Sequence, residues 1–372
     1  MVSLGLIVNP LAGIGGRVGL KGSDGEETVR RAFELGAVCL SPGRATEALL
    51  SLDSLAVDLE LVTYSGPMGE EEASAAGLAP IVLGSIDPVR TTSADTRRAA
   101  AGMLELGVDL LLFAGGDGTA RDVYDVVGDR APVLGIPSGC KIHSGVFAGT
   151  PRAAGELARL FLEGVVTRTT ELEVMDIDEE AFRHDELRAR LHGYLRVPHE
   201  PRLTQGSKAG GRGLSEEATV TSIAERIVEE MRPGALYLVG SGTTPRGIMR
   251  RLDLPHTLLG IDVVRDGRLV AADVGERELL DLLGGGRDAE MFVTPIGGQG
   301  FIFGRGNQQL SPEVIRRVGA DNVRVIATPG KLVGLPFHRM RVDTGDAEVD
   351  ASLRGYRQVV TGYRESSVVE VV

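Results

Sequence analysis

The chain is predicted to be an α/β protein of two domains. The first, over residues 1–168, is a parallel sheet wound with helices. The second, over 169–372, is β-rich at 169–234 and 340–372 and carries an additional α/β segment at about 235–331. Three observations predict this. Short apolar runs alternate with segments of helical spacing as far as residue 168. Beyond that point the pattern changes to the two-residue alternation of strands. From Ala235 the strand–helix rhythm returns.

Within the first domain, Leu4–Val8 is an apolar run that stops at Asn9-Pro10, and Glu26–Gly36 has helical spacing and ends on a glycine. Leu59–Tyr64 and Pro80–Leu83 are short strands. Ser93–Leu106 is a helix with Ser93 as its cap and Gly107 as its stop. Val108–Phe113 is a buried strand, and a helix runs from Thr119 to Val127, with Val123, Val126 and Val127 on one face. Pro132–Ile136 is the next strand, and Pro151 to about Gly164 the next helix. In such sheets the ligand sits at the carboxyl ends of the strands, so the loops after Val8, Phe113 and Ile136 are expected to share one rim.

In the second domain Thr169–Ile177 and Ala189–Val197 alternate as strands, Leu203–Gly213 is a polar glycine-rich loop, and 215–230 is a glutamate-rich helix. The α/β segment reads as strands at Ala235–Val239, Thr257–Val264, Glu290–Val293 and Val323–Ala327. Helices at Pro245–Leu252, Arg277–Leu283 and Pro312–Val318 lie between them. Met340–Val372 reads as strands, with Asp346–Leu353 as a turn or short helix. No fixed-period repeat is present.

Bulk properties narrow the function. With 372 residues and 42% hydrophobic content the chain can bury a large core. It has no apolar run of the roughly 18 residues that a membrane span needs. The N-terminal segment Met1–Val8 is too short and uncharged for a secretory signal. Two cysteines, Cys39 and Cys140, make neither a disulfide framework nor a cysteine zinc site, and a reducing cytoplasm is the expected location. A net charge of −12 argues against a general nucleic-acid or anionic-membrane binder, and 4% aromatic content against base recognition by stacked rings. An acidic protein that binds nucleotides must build a local cationic site. Only four lysines are available for one, Lys21, Lys141, Lys208 and Lys331, and each lies close to glycine.

The most informative stretch is Leu110–Thr119, an apolar strand running into Gly115-Gly116-Asp117-Gly118-Thr119. Glycines let a backbone approach phosphate oxygens and aim N–H groups at them, and a helix opening there adds positive potential. Asp117 is the candidate catalytic residue: it can take a proton from an attacking hydroxyl or hold a metal ion. The plain alternative is a glycine turn with a solvated aspartate. Gly115, Gly116, Gly118 and Thr119 are candidate phosphate holders. The loop after the first strand, Asn9 to Gly16, supplies Asn9 and Gly13; it fits neither G-x-G-x-x-G nor a Walker loop. The loop Gly135–Gly145 supplies Ser138, Gly139 and Lys141. There Cys140 is expected to be a buried inert thiol and His143 a structural or solvated histidine. Gly240–Gly247 follows a strand and opens a helix with a proline in its first turn, and supplies Gly242, Thr243 and Thr244. A glycine- and amide-rich stretch, Thr294–Gln309, and Gln205 with Lys208 complete the candidates. Asp122, Asp262 and Asp273 could serve as metal ligands, but no spacing selects one.

The Asn9–Gly16, Gly115–Thr119 and Gly135–Gly145 segments together resemble the NAD-kinase and diacylglycerol-kinase-like superfamily over the first 150 residues, with Gly-Gly-Asp-Gly-Thr as its signature. Thr294–Gly300 and Val342–Asp346 resemble the AcoX-type ATP-NAD kinase branch. The resemblance implies an NAD-kinase-like fold with a Rossmann-like first domain. It also implies Mg²⁺, ATP or polyphosphate as phosphoryl donor, and transfer to the ribose 2′-hydroxyl of NAD. Other hydroxyl acceptors of the same fold are a lipid, a sphingoid base or a polyol; a different reading is a nucleotide sensor without catalysis. Homo-oligomers are common in the superfamily, although no sequence feature marks an interface. Two features depart from the family pattern: no Asn-Glu dipeptide is present, and the Gly-Ser-Thr-Ala-Tyr loop has only Gly240–Thr244 as its counterpart. Both belong to the acceptor side.

Overall fold

The computed structural model describes residues 1–20, 25–86, 91–140, 142–177, 189–200, 214–286 and 288–372. The chain divides into two compact units, Met1–Ile14 with Gly22–Gly206, and Gly15–Lys21 with Ser207–Val372.

The elements of the first unit are, in order, β1 (Val2–Val8), α1 (Glu26–Glu34), α2 (Ser41–Leu50), β2 (Leu59–Thr63), α3 (Glu70–Ala75) and β3 (Ile81–Val82). There follow α4 (Ser93–Leu106), β4 (Leu110–Gly115), α5 (Asp117–Val127), β5 (Val133–Pro137), α6 (Pro151–Leu162), β6 (Thr169–Ile177) and β7 (Ala189–Pro198). Five strands form a parallel sheet in the order β3-β2-β1-β4-β5. All six residues of β4 and all five of β5 are buried, as expected when both faces of a parallel sheet are covered. The core joins Leu4, Leu6 and Val8 of β1 and Leu110 to Ala114 of β4 to Ala99 and Met103 of α4 and Ala154 and Leu157 of α6.

The alternation expected to 168 is therefore present, with differences that have local causes. The helix over 93–106 is capped by Thr92 rather than Ser93: Thr92 and Asp95 form a reciprocal capping box, and Gly107 closes the helix in the left-handed conformation. The helix after β4 begins at Asp117, two residues before Thr119, with Gly116 as its cap. The helices α2 and α3 were not expected. Strands β6 and β7, assigned from sequence to the second domain, pair with each other and pack on α5 and β5 in the first unit.

The second unit contains α7 (Leu214–Glu229), β8 (Leu236–Val239), α8 (Thr243–Arg251), β9 (Asp262–Arg265), β10 (Arg268–Ala271), α9 (Glu276–Leu282), β11 (Ala289–Val293) and β12 (Phe301–Phe303). After these come α10 (Pro312–Val318), β13 (Val323–Ile326), α11 (Pro329–Val333), β14 (Arg339–Val342), α12 (Ala347–Leu353), β15 (Gly355–Val360) and β16 (Ser366–Val371). One sheet takes the order β10-β9-β8-β11-β13-β15-β16-β14-β12. At its centre β8, β11, β13 and β15 run parallel. Leu236 and Leu238 of β8 enter one apolar cluster and Tyr237 and Val239 another, the two-residue alternation of a strand covered on both faces. The tail expected as strands, 340–372, completes this sheet. The polar loop Leu203–Gly213, including Gln205 and Lys208, lies outside the described residues, as do Lys21 and Lys141.

Candidate active site

Three loops meet at the carboxyl edge of the first sheet because β1, β4 and β5 are adjacent and parallel. The Asn9 N–H donates to the Ala114 carbonyl at 3.0 Å, and the N–H groups of Ser138 and Gly139 both donate to the Gly115 carbonyl, at 2.9 and 3.0 Å. The Asn9 side chain bridges two loops: its Nδ2 donates to Thr119 Oγ1 at 3.0 Å, and its Oδ1 accepts from the Leu11 N–H at 3.2 Å.

Glycines make this closeness feasible. Gly13 has φ +76°, and a Cβ there would lie 2.2 Å from the Ser138 carbonyl oxygen. A Cβ on Gly115 would lie 2.4 Å from Thr119 Oγ1, and one on Gly116 would lie 3.1 Å from the Gly139 Cα. Gly116 caps α5 without a side-chain bond, and the first-turn N–H groups of a helix have no intrahelical acceptor.

Asp117 is the first residue of α5 and is 9% exposed. Its Oδ2 accepts from the His143 N–H at 2.8 Å and its Oδ1 from the Ser144 N–H at 2.9 Å; the His143 ring Nδ1 lies 3.3 Å from Oδ2. The carboxylate thus pins the start of α5 to the 143–145 turn, which β6 continues through the bond from the Met175 N–H to Ser144 Oγ at 2.9 Å. An ionised carboxylate has about four lone-pair positions. Two main-chain bonds orient it and leave capacity for a substrate hydroxyl or a cation.

Asn9, Gly13, Gly115, Gly116, Asp117, Gly118, Thr119, Ser138 and Gly139 therefore come together in the first unit. Thr119 is buried, and its hydroxyl is engaged by Asn9. Cys140 is buried and in no disulfide. His143, expected to be a bystander, touches the carboxylate; its position in the glycine loop after β5 was the available signal.

Gly242, Thr243 and Thr244 lie in the second unit, where Gly242 caps α8 and Thr243 and Thr244 form its first turn after β8. Ser241 Oγ donates to the Gly306 carbonyl at 2.9 Å, which joins this loop to the glycine- and amide-rich stretch. Of the aspartates considered as metal ligands, Asp262 accepts from Thr257 N–H and Oγ1 and from Asp273 N–H. Asp122 pairs with Arg97 at 2.8 Å, while burial raises its pKa and Arg97 opposes that. Among the described residues, no three histidine, cysteine, aspartate or glutamate side chains gather as a metal cluster.

Residues 4–166 match the ATP-NAD kinase N-terminal domain, and residues 234–371 match the ATP-NAD kinase C-terminal domain. The chain belongs to the ATP-NAD kinase family. Proteins of this family are phosphotransferases with a hydroxyl acceptor. No curated protein matches the chain. Among solved structures, a putative diacylglycerol kinase from Bacillus anthracis str. Sterne is 14% identical, with a TM-score of 0.23 over 48% of this chain; the chain spans 42% of that protein's length. A UDP-N-acetylglucosamine 2-epimerase is 13% identical, with a TM-score of 0.22 over 95% of this chain and 71% of the other. Neither likeness is strong enough to bear on function. No helix among the described residues is long and apolar enough to cross a membrane.

Proposed function

We propose that this family member is a Mg²⁺-dependent kinase that moves the γ-phosphoryl group of ATP to the ribose 2′-hydroxyl of NAD, in the AcoX-type branch of its family. The observation that carries the proposal is the fixed Asp117 carboxylate at the start of α5, inside three converging glycine-containing loops.

Phosphoryl transfer asks for positioning and charge neutralisation more than covalent chemistry. Asp117, held by the two main-chain N–H groups, accepts the proton of the attacking hydroxyl. The N–H groups of Gly116, Gly118 and Thr119 face donor phosphates, and Gly13 and Gly115 keep the loops low enough for them to approach. Asn9 holds Thr119 and its own turn in place. Ser138, Gly139 and Lys141 are assigned to the donor phosphates from the third loop, and Gly242, Thr243 and Thr244 to a nucleotide in the second unit. Mg²⁺ is bound in such reactions by one or two carboxylates together with substrate phosphates, and Asp117, with lone pairs to spare, fits that need. The ion would neutralise charge on the transferring group. Polyphosphate is the alternative donor. Small-molecule substrates, rather than nucleic acid or membrane, suit the acidic surface, and the cytoplasm is the assigned location.

A second acceptor is kept because the Asn-Glu pair is missing and the α/β segment of the second unit has a parallel core of its own. The test is product analysis by mass spectrometry. Purified protein with Mg²⁺ and ATP is offered NAD, NADH and a pool of hydroxyl metabolites, with Asp117→Asn as control. NADP formed by the wild type and lost in the variant is the expected result. A different phosphorylated product that also needs Asp117 would replace the acceptor. Nucleotide binding without any product would turn the reading to a sensor.

A further inference from the structure

The carboxyl edge of the second unit's parallel core carries a cation that the sequence motifs do not mark. Because β8, β11 and β13 are adjacent and parallel, the loops after Val239, Val293 and Ile326 leave the sheet on one side. Lys331, in the short α11 that follows β13, reaches back over this edge. Its Nζ donates to Thr244 Oγ1 at 2.9 Å and to Thr294 Oγ1 at 3.4 Å. Thr244 and Thr294 are buried, as are Thr328 and Ser241 beside them in the same loops.

The pairing of this ammonium is unusual. Among the described residues, Lys331 makes no ion pair. Glu216 of α7 is the carboxylate whose charge acts on it, and Glu216 Oε1 accepts from Thr328 Oγ1 at 3.4 Å. Burial lowers the Lys331 pKa to about 8, against the opposing pull of Glu216. A half-buried ammonium held only by hydroxyls lacks a counter-charge in contact, which an anion would supply. An ammonium has three donors, of which the threonines take two, and each threonine hydroxyl that accepts from Lys331 keeps its own proton to donate.

Further features lie in or beside these loops. The helix α8, nine residues long, opens at Gly242 with φ 115° and no side-chain cap, leaving first-turn N–H groups for an acceptor. On that helix the Arg246 Nε is buried without a hydrogen-bond partner among the described residues. So is the Oδ1 of Asn307, the residue after the Gly306 that holds Ser241. Gly240 lets the loop lie against the sheet: a Cβ there would be 2.6 Å from the Phe292 carbonyl oxygen.

We propose that Lys331, Thr244, Thr294 and the first turn of α8 form an anion site of the second unit that takes the diphosphate group of a nucleotide. The proposal extends the reading of Gly242–Thr244 as a nucleotide loop and is separate from the chemistry at Asp117. Lysine, two hydroxyls and helix N–H groups supply donors on several sides, which suits a diphosphate with its many acceptor oxygens. The diphosphate can come from ADP or ATP, or from NAD.

The four lysines of the chain make a direct test feasible. Protein labelled with ¹³C at the lysine ε-carbon gives four signals, and the Lys331 signal is the one missing in Lys331→Arg. In the unliganded protein that signal is expected to titrate near pH 8. Inorganic pyrophosphate is expected to move the midpoint up by about 1–3 pH units, the usual effect of an adjacent opposite charge. ADP and NAD are titrated separately, and the one that moves the signal at lower concentration names the source. The same response in Asp117→Asn protein separates this site from the transfer reaction. A Lys331 signal unmoved by all three ligands, while other lysine signals shift to saturation, overturns the proposal.

Discussion

The two units solve the same topological problem with opposite charges. Each places glycine loops at the carboxyl edge of parallel strands and starts a helix there. In the first unit the side chain at the edge is a carboxylate, Asp117, held by two main-chain N–H groups. In the second it is an ammonium, Lys331, held by two threonine hydroxyls. A carboxylate whose lone pairs are partly spoken for is a fixed acceptor of protons. A half-buried ammonium with a donor to spare suits an anion, as proposed above. On the proposed function, the chemical step belongs to the first edge and ligand retention to the second.

The largest effect is expected at Asp117. Asp117→Ala should lower steady-state turnover by about 10²–10⁴-fold, the usual range for a general base; turnover near wild type would break the assignment of chemistry to the first edge. Next come the glycines, which differ between the edges. Gly13→Ala meets both a left-handed backbone, worth about 1–2 kcal/mol, and a clash with the Ser138 carbonyl, worth about 1–3 kcal/mol by analogy with overpacking. Gly240→Ala meets a clash only, with the Phe292 carbonyl, and should cost about 1–3 kcal/mol. Urea unfolding of the two variants orders them, and equal losses would remove the distinction.

Lys331 gives the comparison a pH signature. Its folded pKa, about 8, lies below the usual lysine value of 10.5. Between these values the unfolded chain binds the proton that the folded chain has lost, so stability rises with pH across that window. The penalty of the buried charge is fully present below pH 8. Lys331→Met should remove the Lys331 part of the rise, which denaturation midpoints at pH 7 and pH 10 would show; an unchanged pH dependence would mean that the ammonium is not enclosed. The smallest expected effect is at the start of α4, outside the three glycine-containing loops. Thr92→Ala should cost about 1 kcal/mol through loss of the capping box and leave turnover unchanged.

The contrast also explains what was legible in the sequence. Asp117 could be found because its strand, glycines and helix are contiguous, and local pattern carries that information. The contacts of Asn9 with Thr119 and of Ser138 with Gly115 follow from strand adjacency, and the parallel alternation already puts these loops on one rim. In the sequence Lys331 stands out only as one of four lysines, because Thr244 is 87 residues away and only the fold joins them. His143 was underrated because its contact with Asp117 depends on how β5 hands over to the 143–145 turn. The β6/β7 hairpin has the alternation of exposed strands, but its packing on α5 and β5 is tertiary and left no mark in period or composition. By residue type Ser93 reads as a cap and Thr119 as a helix start. Thr92 with Asp95, and Gly116 with Asp117, satisfy the helix ends better.

The most direct test of the division between the edges is single-turnover phosphoryl transfer with Asp117→Asn and Lys331→Met, at rising concentrations of the donor and of the acceptor in turn. The expected result is that Asp117→Asn lowers the limiting rate while half-saturation stays close to wild type for both substrates, and that Lys331→Met raises the half-saturating concentration of the one nucleotide whose diphosphate it holds while leaving the limiting rate intact. A wild-type limiting rate in Asp117→Asn would contradict it.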